Sequence, residues 1–585
     1  MRKRKYNPFR YALTRFDRHF FGGKDRFTYI GSGELGGKAH GLARIAGVLD
    51  SEFKDMYAPE ISVEIPTLTV ITTDFFDQFM KQNNLYEVAY SCERDDRIAL
   101  AFQQADLPTQ LVGDLRALVQ QVHTPLAIRS SSMLEDAMFE PFASVYTTKM
   151  VPNSRPEIDV RFRSLVEAVK FVYASTFFKS AKDYMRVTHH TTRDEKMAVI
   201  IQSVVGARFG DRFYPNISGV MRSYNFYPTG NSVPEDGVVD LALGLGKAIV
   251  DDGVAWSYSP AYPRANPPYK TVGDLLKQTQ LEFWAINMGK PPAYDPIRET
   301  EYMQKYEIAD SEYDGTLRCI ASTYIPQDDR ITIGTGITGP RIVDFAPILK
   351  AGILPLNNLF TALLSCCEET LGSKVEIEFA VRLGRESCVP AEFGFLQVRP
   401  MVVSQEEVNI GDDEIAGEGV LLASTAVLGN GELDAIRDVV YIDPDRFDIK
   451  RTLDIARELE EVNRSLNEAG RPYLLIGFGR WGTTDPAAGI PVDFGQISGA
   501  RVIVEHSLPG LVSTPSQGSH FFHNITSFKI FYFSVHYGDD NGIDWDWLRG
   551  QPAADEGRFI RRIEASSPLQ IKVDGRNGRG VIRHE

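Results

Sequence analysis

Two short segments on either side of residue 385 constrain this chain more than any others. Val375-Glu376-Ile-Glu378-Phe alternates acidic with apolar residues, and Phe395-Leu-Gln397-Val-Arg399-Pro400 alternates apolar with polar ones. A period of two sends alternate side chains to opposite faces of a strand, so Glu376 and Glu378 share a face, as do Gln397 and Arg399. Two carboxylates side by side on an apolar strand repel unless a cation lies between them, and Mg2+ prefers oxygen ligands of this kind. A loop carrying Pro390 separates the segments and suits a hairpin. If the strands pair, one surface holds two acids, an amide and a guanidinium, which is a set for a metal and a triphosphate. The competing reading is a solvated sheet face.

Glycine patterns say less. Gly31-Ser-Gly33-Glu-Leu-Gly36 and Gly334-Thr-Gly336-Ile-Thr-Gly339 both match GxGxxG, and two matches in one chain show how cheap that pattern is. A Walker A loop fails because Ser32 stands at its first glycine and Ala39 follows the lysine. What remains is a loop delivering Lys38 to the start of a helix expected over Ala39–Leu49, where backbone dipole and ammonium both favour an anion. In Leu126-Ala-Ile-Arg129-Ser130-Ser131-Ser132-Met-Leu-Glu135-Asp136 a strand ends in an arginine, three hydroxyls and acids. Arg129 suits bidentate contact with phosphate oxygens, with the hydroxyls completing a cradle; a polar turn around a structural Arg–carboxylate pair is the alternative.

At 585 residues the chain is too long for one ordinary core. Its formal charge of -15 argues against nucleic acid as a partner, since phosphate neutralisation needs a cationic surface. The basic start, Met1-Arg-Lys-Arg-Lys, reads as a solvated leader without a signal-type apolar core, and no run is long enough to cross a bilayer. Cys92, Cys319, Cys366, Cys367 and Cys388 form no metal spacing, and this odd, scattered set reads as reduced thiols of a cytoplasmic protein. Helical spacing predicts one long helix over residues 164–187, and β-branched runs predict strands at Ile65–Ile71 and Met197–Val205. Residues 404–419 are acidic and glycine-bearing, as a linker would be, and the segment beyond predicts a helix around 449–468 with strands around 472–478, 500–505 and 528–535.

Several segments together resemble the pyruvate phosphate dikinase and phosphoenolpyruvate synthase family. Gly36-Gly-Lys38-Ala-His-Gly-Leu is similar to its GGK(G/A)xxL opening, and Ile65-Pro-Thr-Leu-Thr-Val-Ile-Thr-Thr to its VPxGFVIT strand. Ala127-Ile-Arg129-Ser-Ser-Ser with Phe142-Ala-Ser144-Val-Tyr-Thr resembles the phosphate loop, and Ala174–Tyr184 the SLFxxRAxxYR helix. Leu243-Gly-Leu-Gly246, Glu376-Ile-Glu378-Phe and Leu396-Gln397-Val-Arg399-Pro400 follow in family order. The resemblance implies an α/β (α+β) fold: a two-lobed ATP-grasp module, with a first lobe over 27–190 and a second over 191–403. A basic leader over 1–26, an acidic linker over 404–419 and a smaller mixed α/β domain over 420–585 complete the expected layout.

The resemblance also implies ATP and Mg2+ as cofactors. Lys38, Arg129, Ser130 and Ser144 would meet ATP from the first lobe, and Glu376, Glu378, Gln397 and Arg399 from the second. Glu376, Glu378 and Gln397 would be the metal ligands, and Lys38, Arg129 and Arg399 would act in catalysis. Family members pass a phosphoryl group to a histidine and then to a final acceptor. Here the GGxTSHAA motif is missing, and the tail leaves no room for a TIM barrel of about 250 residues. His520 in Gly518-Ser-His520-Phe-Phe-His523 is the nearest substitute, with a histidine packed among Phe521, Phe522 and Phe528 as the alternative. Ser144 and Lys247 stand where the family has glycine and glutamate. The reading is therefore a cytoplasmic phosphotransferase with an unidentified acceptor, no membrane and no nucleic acid, and room for a protein partner or homodimer. Its rivals are an ATP-sensing regulatory or scaffolding protein whose catalysis has decayed, and a half-enzyme whose acceptor domain lies on another chain.

Overall fold

A computed structural model describes the chain except residues 1–12, 19–25, 136–144, 189, 192, 194, 251–253, 266–270, 278, 386, 404–407, 484–487, 508–519, 537–541 and 585. The chain is mixed α/β and forms two compact units. One comprises Met1–Tyr224 with Glu235–Met401, and the other Asn225–Pro234 with Val402–Glu585.

The first unit is an α+β module of ATP-grasp type, built on two six-stranded sheets and two smaller ones. Its first large sheet runs Thr14–Arg15, Phe27–Ile30, Leu68–Ile71, Met197–Ser203, Leu126–Ser132, Thr148–Val151. The first three strands are parallel and the rest antiparallel. Leu68–Ile71 and Met197–Ser203 lie inside the sheet, so both faces are covered and their side chains are almost wholly buried. Thr14 and Arg15, within the expected leader, pair with Thr28 and Tyr29, and Arg18 then meets Asp114. The expected helix over 164–187 is two helices, Ile158–Ser175 and Lys179–Val187. Buried Phe177 sits in the break, 6.1 Å from the Phe76 ring and 5.8 Å from Tyr90, and that seat pulls the chain off the helical path.

The second large sheet runs Trp256–Tyr258, Val238–Ala242, Ile217–Arg222, Val375–Gly384, Cys388–Pro400, Ile61–Glu64. Val375–Gly384 and Cys388–Pro400 form the antiparallel hairpin, with Glu376 opposite Arg399 and Glu378 opposite Gln397. The edge strand Ile61–Glu64 comes from far earlier in the chain and pairs parallel with Ala391–Gly394. A disulfide joins Cys319 to Cys388, with Cα atoms 6.2 Å apart, which corrects the expectation of five reduced thiols. The fold brings together two cysteines 69 residues apart, a proximity that spacing alone cannot reveal. Cys92, Cys366 and Cys367 remain thiols.

The second unit centres on a seven-stranded sheet. Its middle strands Asp438–Ile442, Tyr473–Phe478, Ala500–His506 and Phe531–Val535 are mutually parallel, and antiparallel strands flank them. The amphipathic helix Thr452–Glu468 makes the crossover between the first two of these. The segment Asn225–Pro234 belongs to this unit, and the Phe226 and Tyr227 rings lie 5.4 and 6.1 Å from Phe522. Among the expected linker residues, Ile410 is buried with Ala423 and Val581.

Candidate nucleotide site

The site builds from the strand Leu126–Ser132 and the helix Gly37–Val48 that packs beside its end. Gly36 caps that helix at φ 76°, and a side chain there would strike the Ser131 carbonyl; one at Gly37 would strike the Glu135 carbonyl. The two glycines thus let the helix start press against the strand end. Ser131 fastens the joint, accepting from Ala39 N at 3.1 Å and donating to Leu35 O at 2.8 Å. Lys38, in the first helical turn, lies 2.8 Å from the Glu135 carboxylate and donates to Ser130 Oγ at 3.1 Å. Ser130 in turn donates to Glu135. Lys38 is only 14% exposed, so its ammonium sits in a partly desolvated place where an anion interacts strongly with it.

Arg129 leaves the same strand and reaches the second sheet. It donates to Glu378 at 2.9 Å, to Gln397 at 2.7 Å and to the Leu396 carbonyl at 3.1 Å. Beside them, Glu376 accepts from Arg222 Nε at 2.6 Å and from Arg399 Nε at 2.8 Å. Three groups thus adjoin: Lys38 with Ser130 and Glu135, Arg129 with Glu378 and Gln397, and Glu376 with Arg399 in the neighbouring register row. Glu378 and Gln397 offer hard oxygens at a place where the Glu378 side chain is 21% exposed, a donor set that suits Mg2+ shared with phosphates. Ser144 lies outside the described residues, as do the side chains of His520 and His523; His520 opens the helix His520–Ser527.

Four carboxylates and one arginine of this neighbourhood had no role in the sequence reading. Glu135 neutralises Lys38. Asp74 receives Ser32 N and Gly33 N, both at 3.0 Å, and so folds the glycine loop over its helix; burial works to raise its carboxyl, but hydrogen bonds from the Thr72 and Ser32 hydroxyls, with these amides, hold it below the usual range. Glu195 accepts from Met133 N at 3.1 Å and from the Tyr146 hydroxyl at 2.7 Å. Burial pushes its carboxyl up to about 7. Arg222 and its second partner Asp240 lie fully inside the second sheet. Glu135 stands within a quoted motif and Asp74 directly after one, but Glu195 is one charge in the run Arg193–Lys196, and Arg222 and Asp240 show only a charge beside apolar residues.

The family described as pyruvate phosphate dikinase, AMP/ATP-binding domain, matches residues 32–416, about two thirds of the chain. The chain belongs to this family. As a pyruvate phosphate dikinase AMP/ATP-binding domain, the matched region binds adenine nucleotide, and Lys38, Arg129, Glu376, Glu378, Gln397 and Arg399 all lie within it. A search of curated proteins finds no match. Among the described residues, no helix is long and apolar enough to cross a membrane.

Proposed function

We propose that this protein binds Mg-ATP between its two large sheets and transfers a phosphoryl group from it. The observation carrying this reading is the meeting of Arg129, from the first sheet, with Glu378 and Gln397 on the second, with Lys38 bonded to Ser130 beside Arg129 and Arg399 in the register row next to Glu378. Phosphoryl transfer is mostly positioning and charge stabilisation, and this set supplies both. Lys38 and Arg129 would exchange their carboxylate partners for phosphate oxygens, and Arg399 would add a third cation at the same face. Glu378 and Gln397 would hold Mg2+, which neutralises phosphate charge when bound. The acceptor nucleophile forms a bond to phosphorus as the bond to the leaving nucleotide oxygen breaks. In the dikinase form of the reading a histidine such as His520 bonds to the β-phosphorus as AMP leaves, and water then takes the terminal phosphoryl as phosphate, so one phosphoryl stays on the histidine.

Incubation with ATP and Mg2+, followed by nucleotide analysis and intact-mass measurement, tests this. AMP, phosphate and an acid-labile adduct of one phosphoryl group are expected. ADP as the sole product would reject the dikinase form and leave a simple kinase. The second reading, an ATP sensor with decayed catalysis, draws on Ser144 and Lys247 in place of the family's glycine and glutamate. Tight ATP binding with no turnover over a broad acceptor panel would favour it. A cytoplasmic setting fits an ATP consumer, and the Cys319–Cys388 disulfide is shielded there from thiol exchange, its residues being 4% and 6% exposed.

A further inference from the structure

In the second sheet, backbone register sets Arg222 opposite Glu376 and Glu376 opposite Arg399, three neighbours in one row. The next row holds Val220, Glu378 and Gln397. The two glutamates share a face, yet their surroundings differ. Both oxygens of Glu376 are taken by guanidinium groups, Oε2 by Arg222 Nε at 2.6 Å and Oε1 by Arg399 Nε at 2.8 Å. Arg222 also donates to Asp240 at 3.0 Å, and the Ser257 hydroxyl closes the far side of Asp240. The side chains of Arg222 and Glu376 are 0% and 1% exposed. Glu378, by contrast, is 21% exposed, and its guanidinium partner Arg129 comes from another sheet.

We propose that Arg222 removes Glu376 from the metal site and makes it a positioning residue for Arg399, so that one divalent ion is held, by Glu378 with Gln397. The inference rests on the Mg-ATP reading above. A cation reaching Glu376 must displace a guanidinium that backbone register holds in place, stranding its charge in a low-dielectric interior. Mg2+ also sheds its waters reluctantly, and a carboxylate this buried has no space for a hydrated ion. Glu378 only has to release Arg129, whose charge the nucleotide phosphates then receive. Glu376 meanwhile keeps the Arg399 guanidinium aimed along the row, and Arg222 keeps Glu376 from turning away. Metal affinity and phosphate positioning are thereby divided between two carboxylates two residues apart.

The test uses the full chain with a non-hydrolysable ATP analogue and Mn2+, bound ion being counted by electron paramagnetic resonance. One Mn2+ per bound nucleotide is expected. Glu378→Gln should weaken Mn2+ at least tenfold, and Glu376→Gln should change it less than threefold. Arg222→Met should weaken the analogue about tenfold, and this loss should vanish in an Arg399→Met background, as residues acting through one another require. Equal losses in both backgrounds, or Glu376→Gln weakening Mn2+ as much as Glu378→Gln, would overturn the proposal. Two Mn2+ per nucleotide in the unaltered protein would do so even if every variant misfolded. Failure of the unaltered protein to bind nucleotide would instead remove the Mg-ATP reading, and this inference with it.

Discussion

The Arg129 guanidinium donates to the Glu378 carboxylate at 2.9 Å, although the two residues are 249 positions apart and stand on different sheets. This pair closes the gap between a strand of the first large sheet and the hairpin of the second. In the Mg-ATP proposal it is also the state from which phosphate would recruit Arg129. Replacing Arg129 by alanine is expected to weaken ATP binding at least a hundredfold, at roughly 1.5–3 kcal/mol per charged hydrogen bond lost. Arg129→Lys should recover little, because a single ammonium cannot face the separate acceptors on Glu378, Gln397 and Leu396. Calorimetric titration with ATP, alongside thermal melts to check folding, reads both variants.

The glycines at the helix start admit a sharper steric test. Gly36→Ala adds a side chain at φ 76° against the Ser131 carbonyl, so both strain and collision follow. A loss of about 2 kcal/mol or more in stability is expected from such a position, with weaker ATP binding as Lys38 shifts. Gly210→Ala, at φ 57° with open space around its position, should cost about 1–2 kcal/mol and leave ATP affinity unchanged. Urea unfolding and nucleotide titration of the two variants separate collision from strain.

Glu195 predicts a pH dependence whose sign is fixed. Its carboxyl stands at about 7 in the folded chain against 4.5 for the free group, burial being the main cause. A raised carboxyl favours the protonated folded state, so its stabilising effect is full below pH 4.5 and is lost as pH rises through 7. The shift corresponds to about 3 kcal/mol at 1.36 kcal/mol per pH unit, as an order of magnitude. Glu195→Gln keeps the size and the hydrogen-bonding capacity toward Met133 and Tyr146, so it should flatten the fall in melting temperature between pH 5 and 8. An unchanged fall in that variant would show that other groups govern it.

The disulfide gives a fourth expectation. Cys319 and Cys388 close a loop with a sequence separation of 69, for which chain-entropy bookkeeping suggests about 4 kcal/mol. Cys319→Ser with Cys388→Ser should therefore lower the melting temperature by several degrees, and the unaltered chain alone should do the same once reductant has reached the bond in its unfolded state. Peptide mapping without reduction checks the pairing directly.

Much of the candidate site was legible because its residues lie in strands with strict alternation. Glu376 with Glu378, and Gln397 with Arg399, declare a shared face through period two alone, and the hairpin register then follows from the short loop. The Leu68–Ile71 and Met197–Ser203 strands were legible for a related reason, being apolar on both faces. The break after Ser175 was not, because helical spacing continues through it and only the seat of Phe177 ends the helix. The charge on Arg222 looked like any other in an apolar run.

The sequence by itself determined which polar residues share a face of each strand, since alternation is a local property of the backbone. Only the tertiary structure decided their partners. That Arg222 shuts Glu376 against Arg399 while Glu378 faces Arg129 depends on strand order and sheet packing, which join Arg222 to Glu376 across 154 positions and Arg129 to Glu378 across 249. The same holds for Cys319 with Cys388, and for Glu195 between Met133 and Tyr146. Charge pairing and burial are set by proximity in space, and no local pattern encodes that proximity.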